Sequence, residues 1–200
     1  MSAPGCGSIV PVNLYLRLFL LTVRIRLAGL RSGRRPSLWD EGRTPFRVAL
    51  TDLDPLRHVN NGKYLSMLDL GRYDLLTRSG FWHEASRRGW YAVVAAQTIT
   101  YKRSLTLGQR FTLVTRVLGV DDRAVYIEQT FERRGSVVAR AVVQARFLRR
   151  TGGTVTPEDL VAAAGGAPRD LTLPDWVHAW ADAVRISSAA PTRTARGASA

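Results

Sequence analysis

The stretch DLDPLRHVNNGKYLSMLDLGR, residues 52 to 72, sets two Asp, a Pro, a His and two Asn ahead of an apolar-periodic run. Asp54 precedes Pro55, an order that biases Asp54 toward extended backbone and fixes a turn after it. Asn60 is a good helix N-cap, and Tyr64, Leu68, Gly71 and Leu75 then recur at helical spacing. A carboxylate just upstream of a helix start lies where unpaired N–H groups and the helix dipole gather. Those N–H groups can polarise a carbonyl while the carboxylate attacks it or deprotonates a water. Acyl transfer needs this layout, with a base or nucleophile on one side and oxyanion donors on the other. The same residues also suit a plain capped turn, with Asp52 or Asp54 closing an Asx-turn and His58 packing on a sheet.

The surrounding elements must hold this turn in place. The segment FRVALT (46–51) reads as a strand, with Phe46, Val48 and Leu50 on one side. Residues 31–45 have the composition of a linker. The helix entered at Asn60 stops at Gly80, and Gly71 in its stripe admits close approach of another backbone. Residues 81–90 form a connector or a short second helix. Segments 91–105, 110–120, 124–134 and 137–150 are long, rich in Val and Thr, and partly alternating, as strands are. Their connections are short enough for antiparallel neighbours. Short helical pieces follow Pro157, and a small, polar, disordered tail starts near residue 187. The order predicts an α+β fold, an antiparallel five-to-six-stranded sheet wrapped around one long central helix. One helix leaves sheet edge and face uncovered, which predicts a homodimer or homotetramer.

Three regions are expected: a hydrophobic, Arg-punctuated leader and linker (1–38), the folded domain (39–186) and the tail (187–200). Within the leader, residues 9–30 are interrupted by Arg17, Arg24 and Arg26, so the apolar run is too short for an ordinary span. Arg17, Arg24 and Arg31 lie near one helical face and Arg26 on the other. The segment reads equally as an amphipathic helix lying on a membrane or as one packed on the domain.

Composition narrows the partners. The chain has 200 residues and a formal net charge of +13, nearly all of its cations being Arg, with Lys only at 63 and 102. That balance favours anionic partners, or reflects solvated Arg-rich faces. The Arg-rich segment 137–150 lacks exposed aromatic interleaving and any recognised binding module, which argues against nucleic acid. Cys6 is the single cysteine, so no internal disulfide forms and a reducing, cytoplasmic setting is expected, with membrane association open through the leader. Three scattered His and one Cys give no metal-ligand spacing. No phosphate-binding loop, dinucleotide fingerprint or nucleophile elbow is present, so no cofactor is implied.

The string DLDPLRHVNNGKYLSMLDLGR resembles the signature of hotdog-fold acyl thioesterases of the 4-hydroxybenzoyl-CoA thioesterase class. That signature is an Asp-bearing turn, His-Val-Asn-Asn, then Tyr at the entry to a central helix. The resemblance is closer to the group around thioesterase superfamily member six, and runs from about residue 12 to 185 through YKRSL, LGVDDRAVYIE and PEDLV. It implies an acyl-CoA thioesterase, with an acyl carrier protein as the other candidate carrier of the substrate. Asp54 falls on the family's catalytic carboxylate, and the Asn61 N–H on the donor to the thioester carbonyl. Asn60 and Tyr64 match the helix-entry motif. Asp69 takes the place of a helix acid that is Glu in many relatives, although its spacing to Arg72 also suits a plain ion pair. His58 matches the His of plant acyl carrier protein thioesterases, but Leu56 stands where those carry Asn. His58 is accordingly either catalytic or a brace for the Asp54 turn. Lys102 and Arg103 are placed to meet coenzyme A phosphates or an acidic carrier, or to form a solvated strand end. The competing reading is a non-catalytic hotdog protein that binds acyl-CoA or an acyl chain, with membrane association left open.

Overall fold

A computed structural model describes residues 12–31 and 35–186. The elements run α1 (Val12–Arg31), β1 (Gly42–Arg47), a single 3-10 turn (Leu50–Asp52), α2 (Asn61–Arg78), α3 (Phe81–Arg87) and β2 (Trp90–Tyr101). After them come β3 (Arg110–Val120), β4 (Val125–Arg133), β5 (Ser136–Arg149), α4 (Pro157–Ala163) and α5 (Asp175–Ala183). The strands form one five-stranded sheet in the order β1-β3-β4-β5-β2, every pairing antiparallel. The long helix α2 lies across one face. The expected tail from residue 187 falls outside the described residues.

Two boundaries differ from expectation. The first strand occupies Gly42–Arg47 rather than 46–51, so part of the expected linker is strand. Pro45 is tolerated there because β1 is a sheet edge, where a missing N–H removes no ladder bond. Beyond Arg47 the chain leaves the sheet, and the 3-10 turn carries it toward α2. The strand expected at 91–105 ends at Tyr101, because the Lys102 and Arg103 N–H groups both turn onto the Val138 carbonyl, at 2.8 and 3.1 Å.

The core divides along α2. Around its first turns, Tyr64, Met67 and Leu68 pack with Leu105, Phe111, Leu113 and Phe131. Farther along, Leu75 joins Phe81, Trp90, Val117, Ile127, Phe147 and Leu160. On the opposite sheet face Tyr126 and Val142 pack under Leu173, Val177 and Ala181, so α5 covers part of what α2 cannot. Burial of these side chains is the main stabilising term, on the order of 1.5–3 kcal/mol for each large residue.

Close seating of α2 depends on Gly71. A Cβ there would lie 2.6 Å from Leu113 Cδ2, 2.8 Å from Gln129 Nε2 and 2.9 Å from Thr115 Oγ1. Gln129 is fully buried and donates to the Leu68 carbonyl (2.9 Å) and to Thr115 Oγ1 (3.1 Å), while accepting from Arg72 Nη1 (2.7 Å). One glutamine thus ties the helix backbone to β3 and β4. Farther down the helix, buried Asp74 accepts from Thr44 Oγ1 of β1 (2.5 Å) and from Arg78 (2.9 Å).

Gly71→Ala gains about 1 kcal/mol of helix propensity but forces overpacking that costs about 1–3 kcal/mol. The expected net result is destabilisation, read as a lower urea midpoint at unchanged slope. A variant as stable as the parent would mean that Leu113 and Gln129 yield without cost.

Candidate active site

The segment after the 3-10 turn is a closed loop with its own hydrogen bonds. Leu53 and Val59 form an antiparallel bridge, Asp54 N donates to His58 O (2.8 Å), and Arg57 N donates to Asp54 O (3.0 Å). Arg57 takes a positive φ of 62° to close the turn, a conformation non-glycine residues adopt only when surroundings enforce it. Inside this loop Asp54 Oδ1 accepts from the Leu56 N–H (2.9 Å) and the His58 N–H (3.1 Å). The carboxylate is therefore held in one orientation by two backbone donors. Among the described residues Oδ2 has no hydrogen-bond partner.

The loop is anchored to the helix start through Asp52. Its carbonyl accepts from Asn60 N (2.8 Å), and its buried carboxylate accepts from Ala49 N (2.8 Å) and Arg17 Nη2 (2.5 Å). Asp52, one of the two Asp expected to close the turn if it is a plain capped one, is thus the structural member of the Asp pair. Its signal was the 3-10 turn, which a D-x-D string alone does not reveal.

Asn60 caps α2 as expected, its Oδ1 accepting from the Gly62 N–H at 2.9 Å. The Lys63 and Tyr64 N–H groups turn onto the Asn60 carbonyl at 2.9 and 3.4 Å. Among the described residues the Asn61 N–H has no partner, and Asn61 is exposed. The helix start therefore presents one open donor, one residue past the cap, on the same short anchored segment as Asp54.

The other expected residues fall in three places. Tyr64 is 2% exposed, its ring edge-on to Tyr101 and Phe131 with centroids 5.0 Å away in each case, so it is core beneath the loop. Burial raises its phenol above the ordinary value, and a bond from the Leu105 backbone opposes that shift in part. His58 is exposed and serves the loop through its backbone rather than by packing on the sheet. Leu56 is 76% exposed, so its side chain lies on the surface of the loop while its amide holds Asp54. Lys102 and Arg103 are exposed on the segment that borders the loop, where Val59 N donates to Leu105 O (2.9 Å) and His58 bridges Thr106.

Asp69 lies elsewhere, two turns into α2, ion-paired with Arg72. Burial lowers the Arg72 pKa below its ordinary value, and the Asp69 charge and hydrogen bond partly restore it. Both line a cavity of about 260 Å³ between the second half of α2 and the sheet, walled by Trp39, Leu75, Phe81, Val93, Ile127 and Phe147. Almost all of its wall is apolar. This cavity was not anticipated, because its lining comes from seven separate elements and the loop before β1. The remaining His, His83 and His178, are on α3 and α5, away from the Asp54 loop in sequence and element. Among the described residues no group of three or more His, Cys, Asp or Glu is arranged to hold a metal.

The model of the thioesterase-like superfamily matches residues 48–181. This chain belongs to that superfamily. Its five-stranded antiparallel sheet around a long helix is the hotdog fold that the resemblance implied. Protein THEM6 of Danio rerio is 39% identical over 100 residues, half of each chain. The long-chain acyl-CoA thioesterase FadM of Escherichia coli is 29% identical over 102 residues, covering 50% of this chain and 77% of that protein. The crystal structure of the probable thioesterase YbaW from Escherichia coli superposes with a TM-score of 0.58 at 25% identity, covering 60% of this chain and 94% of that one. The chain spans about half the length of the vertebrate THEM6 proteins it matches.

The cap predicts a stability effect that is separable from chemistry. Asn60→Ala removes the bond to Gly62 and should cost about 1 kcal/mol, whereas Asn60→Asp should restore most of it. Equal melting temperatures for the two variants would show that the cap bond does not hold the helix start.

Proposed function

We propose that this protein hydrolyses acyl-CoA thioesters to a free acid and the CoA thiol. The observation that carries this reading is the open Asn61 N–H at the start of α2, beside a loop that orients the Asp54 carboxylate. The thioester oxygen accepts from the Asn61 N–H. As the carbonyl carbon is attacked, negative charge builds on that oxygen, and the donor and the positive helix end stabilise it. Asp54 Oδ2 supplies the attack in one of two ways. It takes a proton from a water that adds to the carbon, or it adds directly and forms an anhydride that water then opens. Collapse of the tetrahedral species breaks the C–S bond, and the thiolate leaves with the electron pair and is protonated. No metal or redox partner enters either balance.

His58 is a positioning residue in this scheme, acting through its backbone N–H and carbonyl. Lys102 and Arg103, beside the loop, are suited to the phosphates of coenzyme A, or to an acidic carrier protein. The acyl group is suited to the apolar cavity. Its polar rim at Asp69 lies eight residues beyond Asn61, about 12 Å along the helix axis. A fatty acyl chain spans that distance from a carbonyl held at Asn61 of the same chain, and a single aromatic ring does not. The name of FadM, a long-chain acyl-CoA thioesterase, supports the same preference.

The partner we infer for assembly is a second copy. β2 is a 12-residue sheet edge, and Tyr91, Val94 and Tyr101 on it are exposed. A long, bare, apolar edge is a template for pairing with another chain. Val94→Lys, at a position 44% exposed in the single chain, should shift the molecule from dimer to monomer in light scattering after gel filtration. A wild type that is monomeric at micromolar concentration removes this part of the reading.

The mechanism is tested by thiol release from a series of acyl-CoAs. Asp54→Asn should lower kcat by about 10²–10⁴ with little change in KM. His58→Ala should keep most of the turnover, since its backbone bonds do not need the imidazole. Full turnover by Asp54→Asn would sink the catalytic assignment. Tight acyl-CoA binding with no thiol release by wild type would favour the binding-protein reading, to which the loop's use of Asp54 Oδ1 as an internal cap lends support.

A further inference from the structure

The helix α1 carries two faces of different character. One packs on the domain: Leu21 is buried, Leu14, Leu18 and Ile25 are half-buried, and Thr22 Oγ1 lies 3.4 Å from the Tyr73 hydroxyl of α2. Arg17 on this side donates to Asp52 Oδ2 and to the Arg47 carbonyl (3.0 Å). The other face is exposed and apolar. Tyr15, Leu16, Phe19 and Leu20 are each more than half exposed (62, 54, 64 and 56%), and Leu27 equally so (56%), with Val23 at 39%. At 3.6 residues per turn these six side chains fill one arc of about 140°, opposite the packed side. Few soluble surfaces carry so many large apolar groups on one contiguous patch without a partner.

The charges choose the occupant. Projected down the axis, exposed Arg26 falls just inside one end of the arc, between Tyr15 and Phe19, and exposed Arg24 lies beyond the other end, past Leu20. The helix VNLYLRLFLLTVRIRLAGLR contains no acidic residue. Apolar side chains bordered on both sides by Arg, whose stems lie along the apolar surface while their heads reach outward, suit an anionic bilayer surface. A protein groove would be expected to set carboxylates against these Arg or leave them solvated at a rim. A second copy would oppose Arg to Arg. Among the described residues no helix is long and apolar enough to cross a membrane, so the contact is parallel to the surface.

We propose that α1 is a peripheral membrane-docking helix that seats this protein on anionic phospholipid through its Tyr15–Leu27 face while its other face stays bound to the domain. The Arg17–Asp52 contact gives that seating a consequence. Asp52 anchors the loop that orients Asp54, so the docked helix sits directly against the base of the candidate active site. Docking of α1 therefore bears on the candidate site through the Arg17–Asp52 contact, made from the helix face opposite the exposed arc. This last point rests on the proposed thioesterase reading; the docking itself does not.

The full chain is tested by co-sedimentation with vesicles of phosphatidylcholine alone and of phosphatidylcholine with about a third phosphatidylglycerol, alongside thiol release from acyl-CoA without vesicles. Wild type should bind the anionic vesicles, bind neutral ones far less, and weaken as salt rises. Arg24→Gln and Arg26→Gln should each weaken binding about fivefold. Phe19→Glu with Leu20→Glu should abolish it while leaving the circular dichroism melt and vesicle-free turnover unchanged. Absence of wild-type binding to anionic vesicles at low salt overturns the proposal. So does undiminished binding by the Phe19/Leu20 variant, or a loss of dimer mass in that variant without any vesicle binding by wild type, which would make the face a contact between copies. Failure of turnover with intact vesicle binding would instead strike the thioesterase reading alone.

Discussion

At Gly71 the backbone of α2 comes so near β3 and β4 that even a methyl group would meet three side chains below 3.0 Å. This closeness lets the buried Gln129 reach the Leu68 carbonyl, and lets Arg72 reach Gln129 in turn. A helix held this tightly cannot slide or roll on the sheet. Its first turn, ten residues upstream, is consequently fixed in space, and with it the open N–H of Asn61. The site depends on a glycine that takes no part in its chemistry.

From that fixed helix start the loop is determined by a short chain of backbone contacts. Asn60 bonds back to Asp52, Val59 bonds across to Leu105, and Leu53 bridges Val59. These contacts divide the two aspartates of D-x-D by role. Asp52 is buried and saturated as an anchor, and Asp54 is half-exposed with one oxygen held and one open. A buried carboxylate needs compensation to be tolerated, and Arg17 provides part of it. The leader helix is thereby tied to the same anchor as the site, which links a segment that looked like an appendage to the candidate chemistry.

Much of this was legible from residue types and spacing. The α2 cap at Asn60, its stop before Gly80, the need for small Gly71, and four of the five strands follow from local preferences that tertiary contacts did not override. The first strand was misplaced because residues 31–45 have the composition of a linker, whereas at a sheet edge Pro45 is tolerated within the strand. Tyr64 matched a motif position, yet its ring belongs to the core. A motif conveys where a residue occurs along the chain and not which way its side chain points.

By itself the sequence determined the family, the order of elements and the pairing of a Pro-fixed carboxylate with a helix start, because these rest on local backbone preference and on a contiguous string. Only the tertiary structure decided which aspartate is anchor and which is open, where the apolar cavity lies, and that one leader helix both packs on the domain and presents an apolar face. Those outcomes depend on contacts between residues far apart in the chain: Arg17 with Asp52, Val59 with Leu105, and Arg72 with Gln129. No local rule specifies such contacts, since each exists only after the helix has been seated on the sheet.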